Sequence, residues 1–150
     1  MQSTELSVCP VSEQQLYQVN RFYKRNGHKG RASTFDHTFC LRGNGVILAA
    51  VRFTLVNNDL LIRGLWVHKD RRGQGLGRRL LEGCRSYWSQ QHCYCFAYAH
   101  LQDWYAASGF SLADDTTPAQ YRQQLVIYQQ RGEALVLMQH QPGSGGQCFA

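Results

Sequence analysis

Between positions 71 and 79 the chain reads RRGQGLGRR, two pairs of arginines around three glycines, with an apolar run before it and an apolar helical pattern after it. A helix that starts on such a segment presents backbone N–H groups that have no intrahelical partner, together with the positive end of its dipole. That combination binds phosphate without help from side chains. Gly75 and Gly77 allow a ligand to approach the backbone closely, and Arg72 and Arg78 add mobile positive charge. Two better-known phosphate loops are excluded by spacing. A dinucleotide fingerprint needs a third glycine where the chain has Arg78, and a P-loop needs Lys followed by Ser or Thr where it has Arg78 and Arg79. What remains is R-x-x-G-x-G, from Arg72 to Gly77.

The loop needs a strand to lead into it and a helix to follow. Leu60, Leu61, Ile62, Leu65, Trp66 and Val67 form an apolar strand interrupted by Arg63 and Gly64, and the interior glycine predicts a bulge over 64–66. Leu80, Leu81, Cys84 and Trp88 keep helical spacing, which predicts a helix from about Gly75 to Gln90. Upstream, a strand at 6–9 precedes a helix with Leu16, Val19 and Tyr23 on one side, opened by Ser12 and closed at Gly27. Strands at 37–42, 46–55 and 60–67, joined at Gly43-Asn44-Gly45 and Asn57-Asn58-Asp59, predict an antiparallel meander. A strand at 93–99 then makes a β-α-β crossover and a parallel pair with 60–67. A short helix at 103–108, a strand from Phe110, a helix capped by Thr117 with Pro118 at its first position and Gly132 after its end, and a strand at 134–139 complete the pattern.

In this context the segment LWVHKDRRGQGLGRRLLEG resembles the GNAT superfamily of N-acetyltransferases, whose signature is Q/R-x-x-G-x-G/A between a strand and a helix. WYAASGF at 104–110 resembles the family's F-Y-x-x-x-G-F pattern. The resemblance covers about 46–110 well. It implies an α+β fold with a mixed sheet, an antiparallel meander followed by a β-α-β crossover, and a parallel strand pair splayed by the bulge. It also implies acetyl-CoA as cofactor, with its pyrophosphate on Arg72, Gly73, Gln74, Gly75, Leu76, Gly77 and Arg78. Its pantetheine arm would lie against Leu65, Trp66 and Val67, where a freed N–H near Leu65 or Trp66 would hold the oxyanion. Tyr105 matches the family tyrosine that protonates the leaving thiolate. The general base is not carried over. Many members place a Glu on the strand before the loop, and 60–67 has no carboxylate, so His100, at the end of the 93–99 strand, is the first candidate by position and Asp103 the second.

The chain of 150 residues has 43% hydrophobic residues and no long apolar run, which fits one domain over 1–141 with a flexible Gly-rich tail over 142–150. The first residues lack the pattern of a secretory signal, so a cytoplasmic location is expected. None of the six cysteines has C-x-x-C spacing, so reduced, structural thiols and no metal are expected. A net charge of +6 favours anionic ligands, and the basic segment 24–31, which in the resembling fold walls the acceptor pocket, suits an amine that also carries a carboxylate or phosphate. The expected acceptor is a small-molecule or peptide amine. Two alternatives stay open: action on aminoacyl-tRNA, for which no Lys/Arg run with interleaved aromatics speaks, and a non-catalytic CoA-binding sensor. No membrane partner is expected.

Overall fold

The computed structural model describes residues 5–143. They gather into two compact units: residues up to 57 with 62–87, and residues 58–61 with those from 88 onward. Of the tail expected over 142–150, the part from 144 lies outside the described residues.

In the first unit, β1 (Leu6–Pro10) leads through a short 3-10 turn into α1 (Leu16–Arg25), followed by β2 (Asp36–Gly43), β3 (Val46–Val56) and the greater part of β4 (Asp59–Val67). The sheet order here is β1-β2-β3-β4. β1 runs antiparallel to β2 with Leu6 opposite Gly43 and Pro10 opposite Phe39, and β2 is antiparallel to β3 with a register shift between Leu41 and Arg42. The β2–β3 turn has positive φ at Asn44 (54°) and Gly45 (76°), as the twist of a two-residue hairpin requires. Asn57 (50°) and Asn58 (72°) do the same before β4. α1 buries Val19, Phe22 and Tyr23 in a core with Ala32, Cys40, Ile47 and Ala50. It ends at Arg25, two residues before the expected Gly27, because the Asn26 side-chain amide donates to Phe22 O and Gly27 takes φ 83°. The His28 N–H then donates to Tyr23 O at 2.9 Å, the long bond of a Schellman motif.

α2 (Leu76–Gly83) follows the loop and packs on β2 and β3 through Leu76, Leu80 and Leu81. The single helix expected as far as Gln90 is instead broken at Cys84 (φ −108°, ψ 15°), and α3 (Arg85–Trp88) is a separate turn. Gly83 weakens the helix at this point. Cys84 and Trp88 are nonetheless buried, as the spacing required.

The second unit joins the start of β4 to β5 (Cys93–Tyr98), a 3-10 turn at Ala99–Leu101, α4 (Gln102–Ala106), β6 (Ser111–Leu112), α5 (Ala119–Gln130) and β7 (Leu135–His140), in the order β4-β5-β7-β6. The Leu60 N–H donates to His92 O at 2.9 Å, and β7 is antiparallel to both β5 and β6. α5 begins one residue later than expected, with Pro118 (ψ 139°) as the extended cap. Thr117 is used differently: its hydroxyl accepts the Asp114 N–H and donates to Gln139 Oε1 at 2.7 Å. Cys93 and Cys95 share one buried face of β5, and they, Cys9, Cys40 and Cys84 are free thiols. The fold is α+β with a mixed sheet, a meander followed by a β-α-β crossover.

Candidate active site

At the end of β4 the chain turns on the bond from Arg71 N–H to His68 O, 2.9 Å, and enters the glycine-rich loop. Gly73 and Gly75 both have φ 78°, and a Cβ at either would meet nothing within 4 Å, so the backbone conformation and not crowding calls for glycine. Gly75 is the N-cap of α2, and the first helical bond runs from Arg79 N–H to Gly75 O at 3.0 Å. The amides of Leu76 and Gly77 lie ahead of it, where helix geometry supplies no carbonyl. Residues 72–75, which lead into these amides, are exposed. Arg71 Nε donates to Gln74 Oε1 at 3.0 Å and steadies the turn, while Arg72 Nε donates to Val67 O at 3.2 Å, with its guanidinium 5.2 Å from the Trp66 ring centre. Every residue the sequence assigned to phosphate binding is therefore on this loop or the first turn of α2.

Leu65, Trp66 and Val67 are half-buried at the end of β4. Just before them Gly64 has φ 61°, the left-handed distortion expected of a bulge. The Tyr23 hydroxyl donates to Gly64 O at 2.8 Å. A Cβ on Gly64 would lie 2.7 Å from Tyr23 Oη, 3.0 Å from Arg52 Nε and 3.0 Å from His28 Nε2. The space that a side chain at position 64 would need is thus already filled by three polar side chains. The His28 ring sits 4.4 Å from that of Tyr23 and 4.8 Å from that of Trp66, whose indole N–H donates to Asn26 O. Arg52 lies over Tyr23 at 5.5 Å, reaches His28 Nε2 at 3.5 Å, and pairs with Asp36 at 3.7 Å. Burial raises the Tyr23 pKa above that of an ordinary phenol, and burial followed by the Arg52 charge lowers that of His28. Sequence reading missed this group. The backbone distortion was legible in Gly64, but His28 stood only as one residue of a basic loop.

Beside the loop, a cleft of about 660 Å³ opens between α1, the β2–β3 turn and residues 68–70. Arg21, Arg25, Arg42 and Lys69 line it against one carboxylate, Asp70. Arg42 is held there by a 2.7 Å bond to Gln18 Oε1.

The other sequence candidates belong to the second unit. Tyr105, on α4, is buried at 5% exposure, with its ring 4.9 Å from Trp104 and 5.8 Å from Phe110. Burial, with the neighbouring Cys95 thiol, raises its pKa well above the ordinary phenol value. His100 is exposed in the 3-10 turn after β5 and stacks on Tyr98 at 5.8 Å. Asp103 is exposed on α4. β4 begins at Asp59, so the strand does carry one carboxylate, five residues before Gly64. Among the described residues no helix is long and apolar enough to cross a membrane, and no three His, Cys, Asp or Glu side chains cluster as metal ligands would.

The family profile described as acetyltransferase (GNAT) domain matches residues 35–112, more than half the chain. Among curated protein sequences none matches. Solved structures share the fold. The ribosomal-protein-S18-alanine N-acetyltransferase from Escherichia coli is 16% identical with a TM-score of 0.68, over 97% of this chain and 99% of that one. Arabidopsis thaliana Naa50, in complex with the bisubstrate analogue CoA-Ac-MVNAL, is 16% identical with a TM-score of 0.61, over 96% and 99%. PaiA N-acetyltransferase from Thermoplasma acidophilum, in complex with coenzyme A, is 9% identical with a TM-score of 0.63, over 91% and 99%. The chain belongs to the GNAT acetyltransferase family.

Proposed function

We propose that the protein is an N-acetyltransferase that passes the acetyl group of acetyl-CoA to a primary amine by direct attack of the amine on the thioester. The observation that carries this reading is the R-x-x-G-x-G loop at the N-terminus of α2, with first-turn amides that lack a helical partner and two glycines at φ 78°. CoA, present in the Naa50 and PaiA structures, fits the donor set, and when bound it would supply the activated acyl carbon. The main chain of 73–78 would hold its pyrophosphate, with Arg72 and Arg78 adding charge, and Leu65, Trp66 and Val67 would lie along its arm. An N–H at Leu65 or Trp66, after the Gly64 distortion, would polarise the acyl oxygen. Tyr105, kept protonated by burial, is the proposed donor to the leaving sulfur.

The four cations of the cleft favour an acceptor that carries a carboxylate or phosphate besides its amine. The expected location is the cytoplasm. Calorimetry with CoA, followed by a thiol-release screen of amino acids, polyamines, aminoglycosides and peptides, tests the proposal. Folded protein that binds no CoA would overturn it, and CoA binding without turnover on any amine would favour a sensor. The same cleft also suits aminoacyl-tRNA, and strongly salt-dependent RNA binding would select that acceptor.

A further inference from the structure

β1 is the edge strand of the sheet on the side of β2. Cys9 on β1 stands directly opposite Cys40 on β2, and their Sγ atoms meet at 3.9 Å. The pairing is fixed on both sides: Val8 faces Leu41, and past Pro10 the Val11 N–H donates to Thr38 O at 2.8 Å. Opposed residues of an antiparallel pair share a face and have Cα atoms about 4.5–5.5 Å apart. A disulfide spans roughly 4.4–6.8 Å between Cα atoms, so side-chain torsion can join the two sulfurs while the strands keep their places. The two thiols differ in access. Cys40 is fully buried in the core with Val19, Phe22 and Tyr23 of α1, whereas Cys9 packs on the margin of that core and is half-buried.

We propose that Cys9 and Cys40 are a peroxide-reactive dithiol, closed to a disulfide by a small hydroperoxide and reopened by a thiol reductant. Cys9 meets the oxidant. Its thiol gives up a proton, its sulfur forms a bond to the terminal peroxide oxygen, and the O–O bond breaks. The other oxygen leaves with that proton as water or an alcohol, and Cys9 is a sulfenic acid. Cys40 then attacks the Cys9 sulfur: the S–S bond forms, the S–O bond breaks, and the departing hydroxide takes the Cys40 proton as water. The thiol pair has lost two electrons and the peroxide has gained them. Burial, and then the neighbouring Cys9, push the Cys40 thiol up to about 12, so it holds its proton and acts second. The bond would close a loop that contains α1 and the basic segment 24–31, so oxidation would tether the stretch that carries Arg21 and Arg25 to β2.

The test treats the folded full-length protein with hydrogen peroxide, blocks the remaining thiols and digests it with trypsin without reduction. Cleavage at Arg21, Arg31 and Arg42 places the two cysteines on separate peptides, 1–21 and 32–42. These peptides should appear joined, and should separate on dithiothreitol. In urea, where the fold no longer brings the pair together, the same peroxide should spread links over the six cysteines. Cys9→Ser, a change at the half-buried position, should leave Cys40 unoxidised over the same time. A folded wild-type protein that loses no thiol to peroxide would overturn the proposal. So would Cys9 advancing to sulfinic acid with Cys40 still free, or a 9–40 link no more abundant than in urea. Oxidation of Cys40 at the wild-type rate in Cys9→Ser would overturn it too. The peptide map of the wild-type protein decides the question whether or not the variant folds, and none of these outcomes bears on CoA binding or acetyl transfer.

Discussion

Gly64 shows how much one missing methyl controls. At φ 61° an alanine would be strained, and its Cβ would fall within 3.0 Å of three polar atoms, on α1, on β3 and in the loop after α1. Gly64→Ala should therefore cost about 1–3 kcal/mol in urea unfolding. His28 also ties stability to pH. Its folded pKa is lowered by burial and Arg52, so the unfolded chain binds the proton more readily and stability rises with pH through the window below 6.5. The contribution is fully present above 6.5 and fades as pH falls through the folded value. Urea midpoints measured from pH 4.5 to 7.5 should show that slope in the wild type and a flatter one in His28→Gln. The kink at Gly64 was legible because a glycine inside a strand marks a bulge or a close approach of another group. The packing of His28 was not, because its partner Arg52 is 24 residues away and meets it only once the sheet has formed.

At the scale of elements, the strands were readable from alternation and turn residues, and most ends fell within a residue or two. The exceptions have different causes: a tertiary contact at Thr117, and at 83 a glycine that weakens the helix where Val8 comes close. Thr117 was assigned to cap α5, but its hydroxyl is committed to Gln139 on β7. The helix expected to run to Gln90 breaks after Gly83, where a Cβ would lie 2.5 Å from Val8 Cγ2 and 2.8 Å from Val8 Cβ. By propensity alone Gly83→Ala should strengthen α2. Val8 is β-branched and stiff on an ordered strand, so the opposite is expected: a loss of about 1–3 kcal/mol in thermal or urea unfolding.

For the whole molecule, net charge and the cationic cleft point toward anions, while the family assignment rests on a segment of 78 residues, 35–112, that contains β2 to β6. α1, with Tyr23 and His28 at its end, lies outside that segment. This is why resemblance proposes a phosphate loop but no acceptor side: the signature describes what members share, and the acceptor pocket is where they differ. If CoA binds the folded state alone, saturating it to 100 times Kd should stabilise the protein by about 2.7 kcal/mol, seen as a rise in Tm. Adenosine, which has no phosphate, should give far less.

The near-contact of Gly83 with Val8 ties the two ends of the first unit's business together. α2 displays the amides proposed to hold the anion at one terminus and packs its other terminus against Val8 of the opening strand, so β1 is in a position to set where that end of the helix rests. A residue with no chemistry of its own should then tune ligand grip. Val8→Ala, by giving the helix room to settle, should raise the Kd for CoA severalfold while leaving kcat at saturation nearly untouched.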